Sequence, residues 1–140
     1  MARIWDEFRA VPDIRRPDQM RVSINERGII SLNRRAWEAL KEPEDVVLVY
    51  DRLNCVIGLK PAHPRLDNAV PVRNFNAKGG RFVLRAISMC VHIGITIGRT
   101  LIFRSPVIDD TGVLELDLRD TYEFVQRRRR YESEAEVLVA

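Results

Sequence analysis

The stretch from Arg21 to Pro61 constrains the fold more than any other part of this chain. Val22, Ile24, Ile30 and Leu32 alternate with polar residues on either side of Glu26-Arg27-Gly28, the period of two half-buried strands joined at a glycine. Gly28 supplies the backbone freedom that such a turn or bulge needs. Asn33 is placed to cap a short helix from Arg34 to Leu40. On that helix Ala36, Trp37 and Leu40 share one side, while Arg34, Arg35, Glu38 and Lys41 stay in water. Pro43 ends the helix. Val46 to Tyr50 is a continuous apolar run rich in β-branched residues and predicts a buried strand. Asp51-Arg52-Leu53-Asn54 turns the chain, and Cys55 to Leu59 returns it. The order is strand, glycine turn, strand, helix, strand, turn, strand, and it marks residues 21–62 as one hairpin unit.

The remainder is organised around that unit. Residues 1–20 read as an arm, with Ile4, Trp5 and Phe8 making an apolar face before Pro12 and Pro17, expected to dock on its own domain or on a partner subunit. Residues 63–71, with His63, Pro64 and Pro71, read as a proline-rich linker or extended crossover. Residues 72–118 resemble a degraded second unit. Lys78-Gly79-Gly80 gives another glycine turn, and Arg81 to Arg85 takes the place of Ile29 to Asn33. Ala86 to His92 falls where the helix belongs, Thr100 to Phe103 matches Val47 to Tyr50, and Val113 to Leu116 answers Val56 to Leu59. Identities are few, so the match admits either a tandem repeat or two unrelated runs of strands. Residues 119–140 form a charged tail in which Tyr122, Phe124 and Val125 are placed to anchor a helix.

Composition narrows the function classes. No run approaches the roughly 20 apolar residues that span a bilayer, and the N-terminus carries acids and no apolar core of a secretory signal; a cytoplasmic location is expected. Cys55 and Cys90 lie in apolar runs and read as small buried hydrophobes in a reducing compartment, with no CxxC pair for zinc. No cofactor or metal is expected. The net charge of +3 permits nucleic-acid binding without requiring it. Enzyme signatures are missing: there is no glycine-rich phosphate loop, nucleophile elbow or paired-histidine motif. His63 lies in the linker, His92 in the apolar run Cys90-Val91-His92-Ile93 reads as a core or interface histidine, and Asp109-Asp110-Thr111-Gly112 is turn chemistry.

In Val22, Gly28, the Ile30/Leu32 strand, the short helix to Leu40, Glu44-Asp45, the Val46–Tyr50 strand and Asp51, the first unit resembles the AbrB-like (SpoVT/MazE/MraZ-type) swapped-hairpin family. The resemblance implies a mainly β fold with short helices, a swapped-hairpin β-barrel completed by two units. In MraZ-type relatives both units lie in one chain; otherwise a homodimer supplies the second. The chain departs from the family pattern at Ile29, where an arginine usually follows the turn glycine, at Asn33 in place of a proline, at Pro43-Glu44-Asp45 in place of Gly-Asp, and in a second half without the Asp-x-x-x-Arg motif. The function implied is that of a transcriptional regulator binding duplex DNA through a basic face; the alternative is a β-barrel interaction or assembly module with no nucleic-acid role. Phosphate neutralisation and base-edge contacts need arginine, lysine or asparagine near the turns and helix starts. Those positions are Asn25, Arg27, Arg34 and Arg35 in the first unit and Lys78, Arg81 and Arg85 in the second. Each also reads as an ordinary solvated charge, and Arg34 has helical spacing to pair with Glu38. The run Arg127 to Arg130 reads as a phosphate clamp or as a wet stretch balanced by Glu132, Glu134 and Glu136.

Overall fold

The computed structural model describes residues 19–63, 65–76 and 80–124. The expected arm before Gln19, Lys78 and the Arg127–Arg130 run lie outside the described residues. Within them the chain is mainly β. The elements are β1 (Val22–Ile24), β2 (Ile29–Asn33), α1 (Arg34–Ala39), β3 (Asp45–Asp51), β4 (Val56–Ala62), β5 (Ala69–Pro71), β6 (Arg73–Asn76), β7 (Arg81–Arg85), α2 (Ile87–Ile93), β8 (Leu101–Phe103), β9 (Val107–Ile108), β10 (Leu114–Asp117) and β11 (Thr121–Glu123).

Two antiparallel sheets result. The six-stranded sheet runs β11-β8-β1-β2-β7-β6 and the five-stranded sheet β5-β3-β4-β10-β9. Among the described residues the pairing closes no single barrel. Alternation along β1, β2 and β7 sends Val22, Ile24, Ile30, Leu32, Phe82 and Leu84 inward, where they meet Ile57, Leu59, Leu114 and Leu116 of the other sheet in one cluster. Helix α1 adds Ala36, and Leu40 follows it into the same cluster. Trp37 stacks on Phe82 at 4.0 Å between ring centroids and 9° between planes. Its indole N–H donates to the Pro43 carbonyl.

Both sheets are seamed between residues far apart in the chain. Strand β2 pairs with β7, Ser31 opposite Val83 at the centre, and β4 pairs with β10, Gly58 opposite Glu115. Strand β1 pairs with β8. Gly28 and Gly80 both take positive φ, +71° and +66°, and each is roofed by the helix that follows the other glycine. A Cβ on Gly28 would sit 2.8 Å from Ile87 Cα, and one on Gly80 would sit 2.8 Å from Arg34 Nε. The Ala86 N–H donates to the Gly28 carbonyl at 2.7 Å, tying the start of α2 to the first turn.

Several sequence expectations are corrected. Lys41 and Glu42 end α1 in the left-handed region, φ 70° and 53°, with the Glu42 N–H closing on the Trp37 carbonyl; Pro43 merely follows. Strand β3 is half-buried, because one of its faces is the outer face of the five-stranded sheet; only Val46 is fully enclosed. The stretch read as linker contains the end strand β5, and the stretch read as a helical anchor contains β11, where Tyr122 lies in a strand opposite Ile102. His92 is exposed, since α2 turns it away from Cys90. Cys55 is only half-buried at φ 55°, whereas Cys90 is enclosed and burial pushes its thiol pKa up.

Candidate nucleic-acid interface

The alternation that buries one face of the six-stranded sheet leaves the other to water. Its outward positions are Arg21, Ser23 and Asn25 along β1, Ile29, Ser31 and Asn33 along β2, and Arg81, Val83 and Arg85 along β7. None of these is acidic. Arg73 of β6 joins them opposite Val83. The middle of this face is a shallow groove of roughly 660 Å³, with Ser23 and Ser31 in its floor and Arg21, Arg81 and Phe124 among its walls.

The sequence-predicted residues divide between the two ends of the face. At one end Asn25 closes the first turn: its Oδ1 accepts from the Arg27 and Ile29 N–H groups, both at 3.0 Å. Arg27 is exposed on that turn, and Arg85 is near it because Ile29 pairs with Arg85. At the other end Asn33 caps α1, its Oδ1 accepting from Ala36 N–H at 2.9 Å and Arg21 N–H at 3.1 Å. The Asn33 side-chain N–H donates to the Gln19 carbonyl at 2.8 Å. Arg81 pairs across the ladder with Asn33, and its guanidinium donates to Ser31 Oγ at 3.3 Å. Arg34 lies against Gly80 with its guanidinium carbon 6.0 Å from the Phe82 ring centroid. No ion pair joins it to Glu38. Arg35 is exposed on α1.

Two features escaped the sequence reading. Arg21 and Arg73 belong to the basic face, and strand parity alone could have found Arg21, two residues before Ser23 and four before Asn25. Phe75 and Phe124 stand at opposite edges of the sheet, 75% and 40% exposed, each with an arginine over its ring: Arg81 at 5.9 Å and Arg21 at 5.8 Å from the centroids. Nothing in the sequence announces these pairs, because the partners lie on different strands.

The acids lie off β1, β2 and β7, although Glu26 is in the first turn and Glu123 is on β11 of the same sheet. Asp51 and Asp109 close the turns at the ends of β3 and β9. The Asn54 side chain holds the Asp51 carboxyl below the usual carboxylate range, and the Thr111 hydroxyl does the same for Asp109. Arg99 pairs with Glu123 at 3.0 Å and Arg104 with Asp120 at 3.8 Å, both on the surface and worth little to stability. No helix among the described residues is long and apolar enough to cross a membrane. Compared with protein-family models, curated proteins and solved structures, the chain finds no match.

Proposed function

We propose that this chain is a DNA-binding transcriptional regulator of the AbrB-like type, built as a tandem of two swapped-hairpin units, and that it binds duplex DNA through the outer face of the six-stranded sheet. The observation that carries the reading is the face itself: Arg21, Arg73, Arg81 and Arg85 project from it among serines and asparagines with no acid on β1, β2 or β7. Such a surface neutralises phosphates and releases their counterions. The tandem reading draws support from Gly28 and Gly80, both at positive φ and each covered by the helix after the other, and from the central pairings Ser31–Val83 and Gly58–Glu115. Within that tandem Arg81 directly follows Gly80, so the second unit keeps the basic residue that Ile29 replaces in the first. A tandem completes its module without a partner chain, and light scattering should then return the mass of one chain.

The test is duplex binding across a salt series. Binding should be strong at low salt and fall steeply as salt rises. Arg21→Ala, Arg81→Ala and Arg85→Ala should each flatten the logarithmic slope by about 1 wherever the residue contacts a phosphate. No binding at low salt would end the reading. One observation favours the alternative, a protein-interaction module: Val49 and Val107, 39% and 52% exposed, flank Gly58 and Glu115 on the outer face of the five-stranded sheet.

A further inference from the structure

The asparagines of the basic face are poor candidates for reading bases. Asn25 and Asn33 spend their side-chain oxygens on backbone N–H groups, and Asn33 spends an N–H on the Gln19 carbonyl. An amide that reads adenine must offer donor and acceptor together. The face does offer a cross-sheet line of charge and aromatic surface: Phe124, Arg21, Asn33, Arg81 and Phe75, in the order of the strands that carry or flank them. Six strands at about 4.8 Å spacing put the two edge strands roughly 24 Å apart, with Phe124 toward the Asn25 end of the sheet and Arg21 reaching its ring from the Asn33 end. Two large aromatic rings exposed on a basic sheet face, each beside a guanidinium, match the needs of unpaired bases. Such bases stack on π surfaces and on arginine with little sequence preference, while a duplex hides its base faces.

We propose that this line holds single-stranded nucleic acid, with Phe75 and Phe124 stacking unpaired bases and Arg21 and Arg81 neutralising the phosphates between them. The proposal rests on the reading of this face as a nucleic-acid interface and adds to it a preference for exposed bases. It commits to a strand whose backbone follows the groove across β1, β2 and β7. Sequence tolerance follows, because the contacts are to π faces and phosphates.

The test uses fluorescence anisotropy at low salt with the full chain and three probes. They are an oligothymidine of about ten nucleotides, an abasic strand of the same length with its phosphates kept, and a duplex of that length. The base-bearing strand should bind about ten-fold tighter than the abasic strand. Phe75→Ala and Phe124→Ala should each remove most of that gap, while Phe75→Tyr and Phe124→Tyr keep it. Circular dichroism on the same samples checks the fold. Equal affinity for base-bearing and abasic strands, or a gap that survives both alanine variants, overturns the proposal and leaves duplex binding standing. Failure of all three probes to bind overturns this proposal and the duplex reading together.

Discussion

The chain that follows α1 and the chain that follows α2 do different things with similar material. After α1, β3 runs unbroken from Asp45 to Asp51 and stays in the five-stranded sheet, paired with β4 along its whole length. After α2 the strand stops at Phe103, passes Arg104-Ser105-Pro106, and resumes at Val107. Its first piece joins the six-stranded sheet beside β1 and its second joins the five-stranded sheet beside β10. Pro106 has no N–H for a ladder and restricts Ser105 before it, so a continuous strand is disfavoured there. The difference shows how one broken strand ties two sheets together, and why the second half gives up regularity that the first half keeps.

The comparison is most directly broken at Phe82, the second-half residue that stacks on the first-half Trp37. Phe82→Ala should cost about 3–5 kcal/mol in urea unfolding. A loss below about 1 kcal/mol would mean that the two halves do not share the core described. The glycine turns come next. Gly80→Ala incurs left-handed strain, about 1–2 kcal/mol, and meets Arg34, whose guanidinium end can swing away while its Cβ, 3.0 Å off, must give by a few tenths of an ångström. Gly28→Ala meets the same strain and also the backbone of Ile87, which cannot move aside, so its loss should be larger by about 1–3 kcal/mol. Equal losses at the two positions would contradict the roofing of Gly28 by α2. The helix starts differ in turn. Asn33 caps α1, whereas α2 begins at Ala86 without a side-chain cap. Asn33→Ala should therefore lower stability by about 0.5–2 kcal/mol, while Arg85→Ala, just before α2, should change the melting temperature little and weaken nucleic-acid binding. The smallest effect belongs to the turn carboxylates. Asp51 and Asp109 have folded pKa values below their unfolded ones, so their stabilisation is present above the unfolded value of about 3.9 and is lost as pH falls through the folded one. Asp51→Asn and Asp109→Asn should differ from the parent at neutral pH, and that difference should shrink below pH about 4. A gap independent of pH would show that neither carboxylate is held this way.

Much of the first half was legible because its signals are local. The alternation at Val22, Ile24, Ile30 and Leu32, the cap at Asn33 and the turn at Asp51 all act within a few residues, and each is found where the sequence places it. The turn at Asp109 is equally local, its carboxylate accepting from Thr111 and Val113. Less legible was whatever depends on distant neighbours. The half-burial of Val46 to Tyr50 follows from which sheet β3 joins. The strands at Ala69 and Thr121 form because β3 and β8 offer edges to pair with, which neither short segment reveals alone. The same holds for the candidate site. Asn25 was singled out as a polar residue near the first turn, and its bonds to the Arg27 and Ile29 N–H groups became visible only with that turn in place. The Phe75 and Phe124 pairs needed the full strand order.

The seams between β2 and β7 and between β4 and β10 also bear on when the chain can fold. Neither sheet can be assembled from the first half alone, since Ile30 and Leu32 stay without their β7 partners, and Ile57 and Leu59 without theirs, until β7 and β10 are available. Forming those pairs means closing long loops before the contacts repay the entropy, which is the recipe for a slow nucleation step and a late, all-or-none transition. On a ribosome synthesising at about 5–20 residues per second, the emerging hairpins would wait several seconds with their apolar faces uncovered. Their partner strands are already encoded downstream, so this interval, rather than the finished fold, is where the chain is most exposed to aggregation.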